Sequence, residues 1–128
     1  MKTLFRLTLV FLFLGLLRLS AATLYVSPAS ITPTSPYNSW LTAATNIPDA
    51  VNAATAGDTV LVTNGVYAGG LAVNKPLTLL SVNGPQVTTI DGASVNQCIS
   101  MSDGVSLSGF TLTNGFAQNG GGILKCTD

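Results

Sequence analysis

The sequence predicts an all-β fold in which short parallel strands follow one another around the coils of a solenoid. Three apolar, strand-like segments end in the same dipeptide, Asn-Gly, at Asn64, Asn83 and Asn114. An apolar strand that ends in a fixed turn residue, repeated every few tens of residues, indicates stacked copies of one supersecondary unit. After Gly57 the sequence shows no helical periodicity. The crossovers that parallel strands require must therefore be made of further strands and corners.

Residues 1–22 have the pattern of a secretory signal peptide. A basic start is followed by an apolar run over residues 7–17, and Ser20 and Ala22 place small residues at positions −3 and −1 of a cleavage site before Thr23. The apolar run is shorter than the roughly 20 residues that a membrane span needs. We therefore expect export to the extracellular space or the cell surface, with no membrane span after removal of the signal. An uncleaved N-terminal anchor is the alternative.

The chain after residue 22 is nearly without basic residues. It holds Lys75, Lys125 and five Asp, with no Arg and no His, which gives a net charge of −3. Nucleic-acid binding depends on clustered Lys and Arg that neutralise phosphates, and attraction to an anionic membrane surface depends on a polybasic patch. The composition therefore argues against nucleic acid and membrane as partners.

Residues 23–45 are predicted to form an N-terminal strand and a polar loop, and residues 46–128 a capping helix and the first coils. Asn46 is the expected N-cap of the helix, and Gly57 is its expected C′ residue. The apolar residues Ile47, Ala50, Val51 and Ala54 fall on one face of this helix. We expect that face to cover the open end of the first coil, as capping elements of solenoids do.

From residue 58 onward, short apolar segments alternate with corners that contain Gly, Asn or Asp. The predicted strands are residues 59–62, 66–67, 71–73, 77–82, 87–90, 98–101, 105–107, 110–112 and 121–124. Strands this short fit the flat sides of a coil. The Asn-Gly pairs could instead form β-hairpins with type I′ turns, although the hydrophobic positions do not mirror across the turns. Because the last segment has no closing element, we expect a truncated solenoid whose open end self-associates.

Residues 47–67 combine a short Ala-rich helix, the dipeptide Gly57-Asp58, an apolar strand and the tripeptide Gly65-Val66-Tyr67. This order resembles the N-terminal cap and first coil of right-handed parallel β-helix proteins of the pectin-lyase-like superfamily. Further similar segments are residues 25–28, 75–79, 90–92 and 107–115. The resemblance implies a right-handed parallel β-helix. It implies no single activity, because the superfamily includes lyases, hydrolases, esterases, adhesins and proteins of no known activity.

Residues 116–124 are also similar to the Phe-x-x-Asn and Gly-Gly-apolar-apolar repeats of polymorphic outer-membrane adhesins.

The resemblance to the superfamily also indicates which side chains an active enzyme would need. Its pectate lyases use clustered Asp ligands for calcium with a basic residue as proton acceptor, its hydrolases a Gly-His-Gly motif, and its esterases two Asp and an Arg. Here Lys75 and Lys125 are the only basic candidates, and Asp91 and Asp103 precede Gly in predicted turns. No Asp-x-Asp spacing offers the six to eight oxygens of a calcium site. We therefore expect no catalytic residue, no metal site and no cofactor.

Asn64, Asn83 and Asn114 are expected to have a structural role at the coil corners. The left-handed backbone of a corner suits Asn, and stacked Asn amides can hydrogen-bond along the coil as a ladder. If these amides face outward, they could contact a glycan instead.

Cys98 and Cys126 are 28 positions apart, which is close to the length of one coil. In an exported chain they form either a disulfide or two buried apolar thiols. In either case the two cysteines have a structural role.

These patterns together predict an exported β-helix segment with a structural, adhesive or carbohydrate-contacting surface and no catalytic site of its own. The expected partner is a polysaccharide or a cell-surface glycan. The alternative is the N-terminal part of a polysaccharide lyase whose catalytic coils lie beyond residue 128.

Overall fold

The computed structural model describes residues 20–116 and the backbone of residues 123–124. The described part consists mostly of strands in parallel sheets, with one helix. The helix α1 is Ile47–Ala53, and the strands are β1 Thr23–Val26, β2 Thr59–Val62, β3 Gly65–Ala68, β4 Leu71–Val73, β5 Thr78–Ser81, β6 Thr88–Asp91, β7 Ile99–Met101, β8 Ser106–Ser108, β9 Thr111–Thr113 and β10 Ile123–Leu124.

Successive passes of the chain add strands to the same three sheets. Sheet A has the order β1-β2-β5-β8, sheet B the order β3-β6-β9, and sheet C the order β4-β7-β10. Every pair except that of β7 with β10 is parallel. The register stacks equivalent residues, so that Val60 pairs with Leu79 and Leu79 with Leu107. This all-β arrangement is compatible with the predicted solenoid.

The first two complete passes of the chain differ in length. Thr59 and Thr78 are register partners 19 residues apart, whereas Thr78 and Ser106 are register partners 28 residues apart. The longer pass takes up its extra residues in two corners, at residues 82–87 and 92–98, while the strands remain in register.

The core lies between the sheets and is built from alternate residues of each strand. Along β2 and β5 every second side chain is buried, because successive side chains of a strand point to opposite faces. Val60, Val62, Leu79, Ile90 and Ile99 are fully buried. Their stacked positions give a continuous apolar interior between the sheets.

Helix α1 begins and packs as its sequence predicts. The Oδ1 atom of its N-cap, Asn46, accepts a hydrogen bond from the Asp49 N–H at 2.9 Å. The buried side chains Ile47, Ala50 and Val51 place the apolar face of the helix against β1, β2 and β4. The helix therefore covers the interior at the β1 end of the described fold.

The prediction that Gly57 ends this helix is wrong. The backbone leaves the helical conformation at Ala54, whose N–H donates to the Ala50 carbonyl. Gly57 lies in the following turn and donates its N–H to the Pro76 carbonyl at 2.8 Å. The side chain of Asp58 accepts a hydrogen bond from the Thr55 N–H, and this bond stabilises the turn after the helix has ended.

The prediction that residues 121–124 begin another parallel coil is also wrong. The backbone of β10 pairs antiparallel with β7, with Ile123 opposite Ser100 and Leu124 opposite Ile99. An edge strand presents N–H and C=O groups that a partner of either direction can bond. An apolar dipeptide therefore does not fix the direction of its strand.

Several sequence predictions lie outside the described residues, namely most of the signal peptide, Lys125, Cys126 and the Gly-Gly pair of the adhesin-like repeat. Within residues 20–116 and 123–124, no helix is long and apolar enough to cross a membrane.

Candidate functional site

A shallow groove of about 430 Å³ lies on the outer side of sheet C. Its floor includes the register partners Ala72 and Ser100, which alternate with the buried residues of β4 and β7. The corner at residues 92–98 forms a wall beside this floor. The complete lining is Gly70, Leu71, Ala72, Val95, Asn96, Gln97, Ser100 and Phe116. The volume falls within the range of about 300–1,000 Å³ that small-molecule sites occupy.

The corner at residues 92–98 is held in shape by the end of β6. The Oδ1 atom of Asp91 accepts a hydrogen bond from the Ala93 N–H at 2.8 Å. The Gly92 carbonyl accepts from the N–H groups of Val95 at 3.1 Å and Asn96 at 2.9 Å. These bonds turn the chain outward and return it to β7, so that Asn96 and Gln97 stand beside the floor of the groove.

Phe116 is fixed to the same corner. Its N–H donates to the Asn96 carbonyl at 2.8 Å. The side chain is 49% exposed, and that of Val95 is 70% exposed. The groove therefore offers an aromatic ring and an aliphatic side chain to a ligand as well as polar groups.

The polar side chains of the groove are available for hydrogen bonding. In the described part of the chain, the amides of Asn96 and Gln97 and the Ser100 hydroxyl have no protein hydrogen-bond partner. Each amide carries donors and an acceptor, and the hydroxyl can act as either. A ligand that replaces the water on these groups can keep their hydrogen bonds. No lining residue is charged, so the groove suits an uncharged polar ligand.

The structure brings together two of the three Asn residues singled out in the sequence. Asn83 donates from Nδ2 to Oδ1 of Asn64 at 2.7 Å, and both side chains are exposed at the corner that follows sheet A. Asn114 follows β9 in sheet B and donates to Asp91 Oδ1 at 3.1 Å. Only Asn114 of the three has a left-handed backbone, with φ +51°. The three Asn-Gly pairs thus mark two different corners.

Cys98 is fully buried and is not a free thiol. Because Cys126 lies outside the described residues, its pairing with Cys98 stays a prediction.

The acidic side chains of the described residues lie in different parts of the fold and share no common site. Asp49 bonds Asn46 at the helix start, Asp91 bonds Ala93 and Asn114, and Asp103 lies in a turn. Residues 20–116 and 123–124 contain no group of three His, Cys, Asp or Glu side chains that could hold a metal ion.

Asp58 is the one buried carboxylate within this described part. Its Oδ1 accepts from the Ala22 N–H at 2.8 Å, and its Oδ2 accepts from the Thr55 N–H at 2.8 Å and the Thr55 hydroxyl at 3.1 Å. The hydrogen bonds from Ala22 and then Thr55 hold the pKa of Asp58 below its ordinary value, against the opposing effect of burial.

Lys75 is engaged at the end of helix α1. Its Nζ donates to the carbonyls of Asn52 and Ala54, where a cation also interacts favourably with the helix dipole. This position explains Lys75 as a helix-stabilising residue and separates it from the groove.

Asn96, Gln97 and Ser100 were not predicted as site residues from the sequence, and Phe116 was singled out only as the start of the adhesin-like repeat. A signal for them was present in the spacing, because the pass from Thr78 to Ser106 is longer than the pass before it. Extra residues in a solenoid are accommodated in loops, and loops carry function more often than the strands that position them.

Comparisons with protein-family models, with curated proteins and with solved structures find no match to this chain.

Proposed function

We propose that this chain is an exported right-handed parallel β-helix that contacts an uncharged glycan through the groove on sheet C and catalyses no reaction there. The fold part of the proposal is supported by the addition of strands to the same three sheets on successive passes, and by the resemblance of residues 47–67 to the pectin-lyase-like superfamily. The right hand follows from the strong preference of parallel crossovers for that hand. Export follows from the pattern of residues 1–22.

The observation that carries the glycan proposal is the combination of unpartnered amides and a half-exposed aromatic ring in one groove. A sugar ring has hydroxyl groups that donate and accept, and a C–H face that is apolar. Asn96 and Gln97 can satisfy the hydroxyl groups, while Phe116 can cover the apolar face. The absence of charged residues in the lining favours a neutral glycan over an acidic one such as polygalacturonate.

The lining also explains why binding is proposed without cleavage. Glycoside hydrolysis uses a pair of carboxyl groups on either side of the scissile bond, and elimination needs a basic group. None of the eight lining residues has a titratable side chain. The carboxylates nearest to the lining in sequence are Asp103, which lies in a turn, and Asp91, which is bonded to Ala93 and Asn114.

Calorimetric titration of the secreted protein with neutral oligosaccharides tests the glycan proposal. Asn96→Ala should weaken binding by about threefold to tenfold, the equivalent of one lost hydrogen bond, and Phe116→Ala should weaken it at least as much. Asn64→Ala is the matched control, because Asn64 is an exposed amide outside the groove. The proposal is refuted if no neutral glycan binds, or if Asn64→Ala weakens binding as much as Asn96→Ala.

The lyase alternative is tested by incubating the protein with polygalacturonate and calcium and measuring the absorbance of unsaturated products. We expect no product. Product formation that disappears in Lys75→Ala or in Lys125→Ala would contradict the non-catalytic proposal, because these two lysines are the only basic side chains in the sequence after residue 22.

A further inference from the structure

The buried carboxylate of Asp58 connects the start of the described chain to the turn after helix α1. Only 4% of Asp58 is exposed. One of its oxygens is bonded to Thr55, and the other is bonded to the backbone N–H of Ala22 at 2.8 Å. The carbonyl of Ala22 in turn accepts from the Thr59 N–H at 2.9 Å. Ala22 is therefore held by two hydrogen bonds, as an extension of β1 along β2.

This carboxylate has no close cation among the described residues. Lys75 acts on it only weakly, because its Nζ is directed to the carbonyls of Asn52 and Ala54. A buried carboxylate needs hydrogen bonds or an opposite charge, and the three bonds from Ala22 and Thr55 already favour the charged form of Asp58. Among the described residues, its Oδ1 atom accepts from the backbone N–H of Ala22 alone. A positive charge on that nitrogen would add an ion pair to this hydrogen bond.

We propose that the chain is processed by hydrolysis of the Ala21–Ala22 peptide bond, and that the new α-ammonium of Ala22 forms an ion pair with Asp58. Water is added across the C–N bond, so that Ala21 leaves with a carboxylate and Ala22 keeps the nitrogen as an ammonium. This inference depends on the proposed export, which supplies the processing step. Ala21 provides the small residue at position −1 of this bond, whereas position −3 is Leu19, so the folded contacts of Ala22 and not the small-residue pattern favour this site.

The alternative product, predicted from Ser20 and Ala22 alone, begins at Thr23. Its formation would remove the donor to Asp58 Oδ1 and the acceptor of the Thr59 N–H together. Asp58 would then lose a hydrogen-bond partner at a buried side chain and Thr59 would lose one at a half-buried position, which costs more than the loss of an exposed hydrogen bond. Hydrolysis before Ala22 keeps both bonds and strengthens the first, since a hydrogen bond between charged groups is about twice as strong as a neutral one.

The mass of the secreted protein is the first test. A chain that begins at Ala22 is expected. A chain that begins at Thr23 would overturn the proposal while leaving export intact, and a chain that keeps Met1 would overturn both. Glycan binding in the groove is independent of this result, so its failure and the failure of the ion pair can be told apart.

Modification of the α-amine is the second test and isolates its charge. Selective acetylation of the secreted protein at Ala22 removes the charge and keeps an N–H donor, whereas reductive methylation keeps the charge. Acetylation should lower the melting temperature by about 5 °C, the shift expected for an interaction of ordinary strength in a small domain, and methylation should lower it less. In Asp58→Asn the two modifications should have equal effects. Equal effects in the unaltered protein would overturn the proposal, even if the Asn variant fails to fold.

The ion pair also predicts a dependence on alkaline pH. An ammonium that gains a carboxylate partner has a raised pKa, so its contribution to stability is complete below its ordinary pKa of about 8 and is lost as pH rises through the raised value. The unmodified protein should therefore lose stability above about pH 8. The acetylated protein should lack this loss, since Lys75 is the same in both and cannot cause the difference.

Discussion

Gly92→Ala is expected to be among the most damaging single-methyl additions in the described chain. A Cβ at Gly92 would lie 2.6 Å from the Asn114 carbonyl oxygen and 2.9 Å from the Gly115 Cα, and it would also meet the carbonyl oxygen of Asn96. All three atoms belong to the backbone, so no side chain can rotate out of the way. We expect a cost of about 3 kcal/mol, the upper part of the range for overpacking.

The same substitution should also weaken ligand binding. The Gly92 carbonyl holds the N–H groups of Val95 and Asn96, so a displaced Gly92 moves the wall of the groove. Urea unfolding followed by far-UV circular dichroism measures the stability loss, and calorimetric titration of the variant measures the change in glycan affinity.

Gly84→Ala is the matched control for this prediction. A Cβ at Gly84 has no atom within 4 Å, but the residue has a φ of +91°. The control therefore measures backbone strain alone, which costs about 1–2 kcal/mol. If Gly92→Ala destabilises the protein less than Gly84→Ala, the close approach of backbone atoms at Gly92 is not a real constraint and the reasoning fails.

Three further predictions concern the core and the titratable groups. Leu79→Ala should cost about 2–5 kcal/mol, because Leu79 is fully buried, whereas Leu80→Ala on the outer face should stay within about 0.5 kcal/mol in the same urea titration. The stability that Asp58 contributes is present above its ordinary pKa of 3.8 and is lost as pH falls through its lowered pKa in the folded protein. Asp58→Asn should therefore make the urea midpoint less dependent on pH in the acid range. Burial raises the pKa of Tyr67, so the stability of the fold should fall as pH rises above about 10, where the tyrosine of the unfolded chain ionises first. Tyr67→Phe should remove that loss. The same variant should cost about 1 kcal/mol of stability, because it lacks the hydrogen bond from Tyr67 to the Thr63 carbonyl.

The sequence predicted the strands well because burial in this fold follows the two-residue period of a strand. Each segment that alternates apolar and polar residues between residues 59 and 113 became a strand within one or two residues of its predicted bounds. The N-cap at Asn46 was equally predictable, since its side-chain bond to the Asp49 N–H is local. Features that depend on neighbouring residues along the chain were therefore within reach of the sequence.

Features that depend on contacts between successive passes of the chain were not. Gly57 follows an apolar helix as a C′ residue would, but its N–H is bonded to the carbonyl of Pro76, just before β5, which the helical pattern does not reveal. The three Asn-Gly pairs suggested one repeated corner, whereas Asn114 follows β9 of sheet B and bonds Asp91 of the strand beside it. The groove was missed for the same reason, since Asn96 and Gln97 lie in a corner without periodicity.

The unequal passes of the chain also have an evolutionary consequence. The strands of sheet A stay in register although one pass is 19 residues long and the next is 28. Insertions at a corner therefore leave the core unchanged, and the entropic cost of closing a longer loop grows only slowly with its length. The exposed residues 93–96 of the corner could be lengthened, shortened or exchanged without repacking Leu79 or Ile90, provided that Gly92 and the buried Cys98 are kept. Such a scaffold can acquire a new ligand by changing a few exposed residues while its core stays the same.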